Sequence, residues 1–270
     1  MNITAEFSQG QRASLFRLTR RPVNVQGHIL YLPALFEQAN QTRHMLTRSA
    51  INAYQQGFES IILDHYGTGD SEGELIEASL SVWQQDIIAQ LNDIKKRSEQ
   101  PIFLSVSLSA ALLLNNNILA MIDGLILVQP EFNGKRYVQQ LKRLALAADL
   151  NKRLLIESLA ENVTIAGYVM DKQLLDELTQ QKVSTLTSRA LPYYWLEWQV
   201  AGNELSIARA KQYQAFQGII SLESSEANYS TIDDIKFWQS SELVVAERYL
   251  ELESKALTAL FSIVQKGKAC

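Results

Sequence analysis

Hydrophobic and polar positions fall into two rhythms along the chain. Residues 3–7, 14–18 and 27–32 read as strands. Beyond them, helix-spaced and strand-like apolar runs alternate. Apolar residues at helical spacing fill 42–55, and Gly57 stands where such a helix would end. A short apolar run at 60–63 reads as a buried strand. Leu80, Trp83, Ile87, Leu91 and Ile94 share one face of a helix over 80–96. Pro101 opens a strand over 102–105, a buried helix is expected over 110–119, and a strand over 124–128 stops at Pro130. The rhythm then breaks. Residues 134–161 are mostly helical in pattern, 163–168 form a short segment, and 171–180 make a further helix. This predicts a helical, cap-like insertion over about 134–185. The alternation resumes with a strand at 193–199, a helix at 207–214, a strand at 218–222 and a long helix at 242–265. Strands alternating with helices predict one α/β domain over 1–270, with a mostly parallel central sheet covered by helices on both faces. The leading strands would form an antiparallel edge.

Composition narrows the picture. A chain of 270 residues can bury one large core. No apolar run reaches the roughly 18 residues of a membrane span. The first residues lack a basic head followed by an apolar run, so they do not read as a secretory signal. The net charge of −4 argues against nucleic acid as a partner. Arg20–Arg21 and Lys95–Lys96–Arg97 read as solvated faces. Cys270 is the only cysteine, which excludes an intrachain disulfide and fits a cytoplasmic protein. Three scattered histidines offer no metal-ligand spacing, so no metal and no cofactor are expected.

Chemistry could reside in three segments. The first, Ser105-Val106-Ser107-Leu108-Ser109, joins a strand to a helix. A sharp turn there, written G-x-S-x-G, carries the nucleophile of an α/β hydrolase, which makes Ser107 the candidate. Serines replace both glycines, and an N-cap serine opening a buried helix is the alternative. The second is the glycine-rich turn Asp64-His65-Tyr66-Gly67-Thr68-Gly69-Asp70-Ser71-Glu72-Gly73. It lacks the Gly-Lys-Ser/Thr of a phosphate loop and the spacing of a dinucleotide fingerprint, so its expected role is structural. The third, Leu32 to Arg43, follows a strand and opens a helix. Leu35 and Phe36 fall where this fold supplies an oxyanion-hole N–H, with Glu37, Asn40 and Arg43 nearby. Capping by Asn40, with Arg43 solvated, is the alternative.

A Ser-His-acid site also needs an acid and then a histidine, in that chain order. Glu204, after the 193–199 strand, fits the acid. The histidine should follow the last strand near 222–238, where there is none; His28, His44 and His65 all precede Ser107. His65 ends a strand two positions from that of Ser107, about 10 Å away at ~4.8 Å per step. A hydroxyl without a base is a poor nucleophile near neutral pH.

Glu-x-x-Asn-x-x-Arg (37–43), Asp-x-x-Gly-x-Gly-Asp-Ser-x-Gly (64–73), Val128-Gln129-Pro130, Ala166-Gly167-Tyr168 and Phe237-Trp238 occur in order. In this series the chain resembles the α/β-hydrolase-fold proteins associated with exosortase A systems, type 2, over roughly 27–255. The resemblance implies the α/β-hydrolase fold and a setting in bacterial exopolysaccharide and protein-sorting machinery. That family typically carries glycines around the nucleophile turn, often without a central serine; here Ser107 stands there and no glycine does. The expected pocket gathers Leu35, Phe36, Glu37, Asn40, Arg43, His65, Leu108 and Trp238. Three readings remain open. The chain is a catalytically silent relative that binds a small acyl or glycan ligand or a protein. Alternatively it is an unusual esterase, thioesterase or acyl transferase using Ser107, supported by Glu204 or His65. In the third, Tyr193, Tyr194, Trp195 and Trp198 pair subunits or contact a partner, against simple burial of a core strand.

Overall fold

The computed structural model describes residues 2–148, 162–165, 167–199, 204–221, 229–240 and 242–269. Its strands are β1 (Ile3–Gln9), β2 (Ser14–Arg20), β3 (Gly27–Leu32), β4 (Phe58–Leu63), β5 (Ile102–Ser107), β6 (Gly124–Val128), β7 (Asn162–Ile165), β8 (Tyr168–Asp171), β9 (Arg189–Ala190), β10 (Tyr193–Trp198), β11 (Ile220–Ser221) and β12 (Tyr229–Ile232). Its α-helices are α1 (Glu37–Gln55), α2 (Leu80–Arg97), α3 (Asn116–Leu119), α4 (Gly134–Ala148), α5 (Lys172–Gln180), α6 (Ile207–Gln217) and α7 (Glu247–Ala269).

Eight strands form the main sheet, in the order β1-β2-β4-β3-β5-β6-β10-β12. β2 runs antiparallel to both β1 and β4; every other pairing is parallel. Every residue of β3, β4, β5 and β6 is buried. That is why these strands read as continuous apolar runs: a parallel sheet is covered on both faces. Met45, Leu46 and Ala50 of α1, with Tyr249, Leu257 and Leu260 of α7, pack on one face. Trp83, Ile87 and Leu91 of α2, Leu174 and Leu178 of α5, and Phe216 of α6 pack on the other. Each buried leucine, isoleucine, methionine or phenylalanine among these contributes about 1.5–3 kcal/mol.

The structure corrects several expectations. Helix α1 begins at Glu37, five residues early, with Phe36 as its N-cap residue, so Asn40 is inside the helix and caps nothing. The expected helix over 110–119 is a 3₁₀ turn, Leu108–Leu113, an extended residue at Leu114, and the short α3. Asn115 explains the break: its side chain accepts from the Ile118 N–H and so starts a new helix. The short segment near 163–168 is a hairpin, β7–β8, turning at Gly167 with φ +87°. The strand expected at 218–222 is not in the main sheet; Ile220–Ser221 pairs with β9 in a separate ribbon. The sheet edge is instead β12, which lies beside β10. The last helix starts at Glu247 rather than 242. Of the helix expected over 134–161, Gly134–Ala148 is observed and residues 149–161 lie outside the described set.

Candidate functional site

β5 runs two residues beyond its expected end, because Ser107 still pairs with Val128 of β6. The turn therefore falls at Leu108, whose φ is +50°. In α/β hydrolases the residue at this strained strand-to-helix turn is the nucleophile. Here it is a leucine, 5% exposed, in the same apolar cluster as Val128, Leu196, Trp198 and Trp238. Ser107 sits one residue before the apex. Its hydroxyl is buried and has no hydrogen-bond partner among the described residues, so it neither caps a helix nor touches an imidazole.

The residue after the apex, Ser109, is fully buried and bonds to the β3–α1 loop. The Leu35 N–H donates to Ser109 Oγ (2.9 Å), and Ser109 Oγ donates to Gln38 Oε1 (2.6 Å). The Tyr137 hydroxyl donates to the Leu35 carbonyl at 3.2 Å. An N–H from this loop serves the oxyanion in the hydrolases; the one at Leu35 is already engaged inside the protein. Phe36, at φ +56°, packs near Trp83, Tyr137 and Tyr168 with ring centroids 6.0–6.5 Å apart.

The three histidines are dispersed. His28 Nδ1 lies 2.6 Å from Glu59 at the N-terminal end of β3. His44 Nε2 meets the Val244 carbonyl at 2.7 Å. His65 follows β4 and is 3% exposed, with Nε2 3.4 Å from the Pro33 carbonyl. A carbonyl only accepts, so Nε2 carries the proton and Nδ1 is a lone-pair acceptor. That Nδ1 is buried without a partner among the described residues. Burial lowers the His65 pKa to about 4, although the Pro33 carbonyl and Asp64 favour the charged form; the ring is neutral near pH 7.

The acid position also differs. Glu204 is exposed, and residues 200–203 beside it lie outside the described set. A different carboxylate is buried on β10: Glu197, 1% exposed. It accepts from Gln129 (3.0 Å), Trp195 (2.8 Å) and the Arg209 Nε (2.7 Å). Its lone pairs are thus held by a guanidinium, an amide and an indole rather than by an imidazole. The signal in the sequence is a lone glutamate inside the aromatic run YYWLEW. Tyr193, Trp195 and Trp198 are buried core residues of that strand.

A cavity of about 650 Å³ opens beside the elbow, above the C-terminal ends of β3 and β4. Of the residues expected at a pocket, Leu35, Phe36, Asn40, Arg43 and His65 line it; Glu37, Leu108 and Trp238 do not. Asp64, Gly67, Thr68, Gly69, Asp70 and Glu74 of the glycine-rich turn form a second wall, and Gly167, Tyr168 and Val169 of the β7–β8 hairpin a third. Arg43 makes a bidentate ion pair with Asp64, which also accepts the Asp70 N–H at 3.1 Å. Gly69, at φ +57°, must lack a side chain: a Cβ would lie 2.2 Å from Asp64 Oδ2. Glu37 ties the rim. The Tyr168 hydroxyl donates to Glu37 Oε2 (3.1 Å) and accepts from Asn40 Nδ2 (2.9 Å). The 64–73 turn, read from the sequence as scaffold, also supplies one wall of the cavity. Among the described residues no group of histidine, cysteine and carboxylate side chains could hold a metal ion.

No protein-family model matches the chain, and no curated protein matches it. Solved structures do. Est1E from Butyrivibrio proteoclasticus with ferulic acid bound has a TM-score of 0.63 at 15% identity, covering 98% of this chain and 100% of that one. A proline iminopeptidase-related protein from Thermus thermophilus gives 0.62 at 15% identity, over 97% and 99%. An alpha-beta serine hydrolase homologue from Coxiella burnetii gives 0.55 at 15% identity, over 96% and 98%. With its mostly parallel eight-stranded sheet and helices on both faces, the chain has the α/β-hydrolase fold.

Proposed function

We propose that this protein is a non-hydrolytic member of the α/β-hydrolase fold that holds a small molecule in the cavity beside the old nucleophile turn. The observation that carries the reading is Leu108 at the turn's apex, at φ +50°. A leucine side chain has no atom that can attack a carbonyl. The Leu35 N–H engaged by Ser109 and the Glu197 carboxylate engaged by Arg209 support the same conclusion, since the other parts of a Ser-His-acid apparatus are committed elsewhere. Of the residues that carry the resemblance to the exosortase A-associated proteins of type 2, Asn40, Arg43, Asp64, Gly67, Gly69, Asp70, Gly167 and Tyr168 line this one cavity and Glu37 ties its rim, whereas Val128-Gln129-Pro130 and Phe237-Trp238 lie outside its lining. We assign the protein on that basis to bacterial exopolysaccharide and protein-sorting systems, as a binder of an intermediate rather than a catalyst of hydrolysis. The esterase reading would need Ser107 to find a base, and its hydroxyl has no partner among the described residues.

The test is a fluorophosphonate probe followed by intact mass. The protein should remain unlabelled at pH 8 while an active serine hydrolase in the same tube reacts fully. An adduct on Ser107 would refute the proposal.

A further inference from the structure

The first strand of the sheet is anchored on one side only. The Arg21 N–H donates to the Asn2 carbonyl and the Gly10 N–H to the Ala13 carbonyl, in line with the β1–β2 register. Hydrogen-bonded pairs alternate along an antiparallel ladder, so the even residues of β1 turn their backbone groups toward β2. Ile3, Ala5, Phe7 and Gln9 turn theirs outward, to an edge that no described strand pairs with. The side chains alternate between faces as well. On one face Glu6 accepts from Arg17 (2.8 Å) and Ser8 donates to Gln90 of α2 (3.0 Å). On the other face stand Ile3, Ala5 and Phe7. Ile3 is 45% and Phe7 61% exposed, and Ala5 is exposed between them. Phe7 rests edge-on against Phe16 of β2 at 5.8 Å. Edge strands are commonly guarded by a lysine, a proline or a bulge, which blocks pairing with another chain. The segment Ile3–Gln9 has no lysine and no proline, its register with β2 is unbroken, and its one charge, Glu6, is engaged by Arg17.

We infer that β1 docks on the β1 of a second copy of this chain, antiparallel about a two-fold axis at Ala5, so that two sheets become one. The strand is self-complementary in that register. Ala5 faces its own counterpart, Ile3 faces Phe7, and Thr4 faces Glu6 across the axis. The outward pairs exchange about six backbone hydrogen bonds. The apolar side chains of both copies close into one stripe on the face away from α2, each against an apolar counterpart. Glu6 meets a neutral threonine and keeps its arginine. An axis one residue further along would set two Glu6 carboxylates directly opposite each other, which is unfavourable. One partner fills the edge, so the assembly closes at two copies. The inference is independent of the cavity, and its failure would leave the cavity reading standing.

Sedimentation equilibrium of the full chain reads the state directly. Between about 1 and 200 µM, the range for a small strand-pairing interface, the mass should rise from 30.5 kDa toward twice that value. Ala5→Pro removes an outward N–H and no bond to β2, which an edge strand tolerates. It should weaken dimerisation by about 5- to 150-fold, the range for the two hydrogen bonds lost per dimer. Phe7→Lys, at an exposed position, gives a second measure and should also yield monomers. In dilute solution both variants should melt close to the wild type. Ala5→Cys, combined with Cys270→Ser to remove the native thiol, checks the axis. The two counterparts would lie about 5.5 Å apart between Cα atoms, within disulfide reach, so mild oxidation should link two chains. Gln9→Cys in the same background lies far from its counterpart and should not link. A wild type that stays at 30.5 kDa to the highest concentration would overturn the inference. So would Ala5→Pro associating as tightly as the wild type, or linkage at position 9 and not at position 5.

Discussion

Asp86 has no exposed surface and no neutralising partner. Its Oδ1 accepts the Gln11 N–H at 2.6 Å, and its Oδ2 has no partner among the described residues. Burial lifts its pKa from 3.8 to about 6, against the Gln11 N–H and the charge of Arg12, which pull it down. Folding therefore favours the protonated acid. The group's contribution to stability is complete below about pH 4 and is lost as the pH rises through 6. Asp86→Asn keeps an oxygen for the Gln11 N–H and removes the buried charge. We expect it to stabilise the protein by about 1–2 kcal/mol at pH 8 and to change little at pH 4. Urea midpoints at the two values check this. Such a residue is legible in sequence only as a polar exception within an apolar helix face. The direction of its shift depends on the β1–β2 turn closing over it, which the local pattern does not contain.

At the scale of elements, the buried parallel strands are plain in the sequence because burial on both faces leaves mostly apolar runs, broken by a few buried polar residues such as Glu59 and Ser105. The edge strand β12 is not: Tyr229-Ser230-Thr231-Ile232 is short and half polar, as an edge permits. Sequence locates the elbow to within one residue and no better. No glycine marks the position of positive φ among Ser107, Leu108 and Ser109, so pairing with β6 decides the register. The glycine-rich turn is recognisable, but its part in the cavity follows from the β7–β8 hairpin approaching from more than ninety residues away, with Tyr168 touching Asn40. That turn offers a sharp test. Gly69→Ala places a methyl group against the carboxylate that holds Arg43, at a φ where only glycine rests easily. A loss of about 1–3 kcal/mol is expected, the range for backbone strain of this kind. In a thermal melt the variant should unfold several degrees early, whereas Gly218→Ala, with room for a methyl group, should not.

Across the whole molecule, the end of the sheet opposite the cavity is tied by one carboxylate. Glu59 of β4 binds His28 of β3 (2.6 Å), Arg97 of α2 (2.7 Å) and Arg21 after β2 (3.0 Å). Burial alone would raise its pKa, but the bonds from His28 and Arg97 outweigh it and hold the group at about 2, below its ordinary 4.5. Its stabilisation is present above about pH 4.5 and lost as the pH falls toward 2. Glu59→Gln should cost about 1.5–3 kcal/mol at pH 7, since the buried carboxylate is the shared acceptor of two part-exposed arginines and His28. It should also flatten the acid limb of the stability profile, as read by chemical denaturation between pH 3 and 7. At the other end of the sheet, the bond from the Leu35 N–H to Ser109 has a practical meaning. With that donor held by the framework, the proposed non-hydrolytic reading predicts that Leu108→Ser alone gives no measurable hydrolysis of a short acyl ester. On that reading, hydrolysis would require a nucleophile, a base and a freed donor together. A laboratory library aimed at building hydrolysis into this turn would therefore have to vary Leu108, Ser109 and the segment facing them as a set.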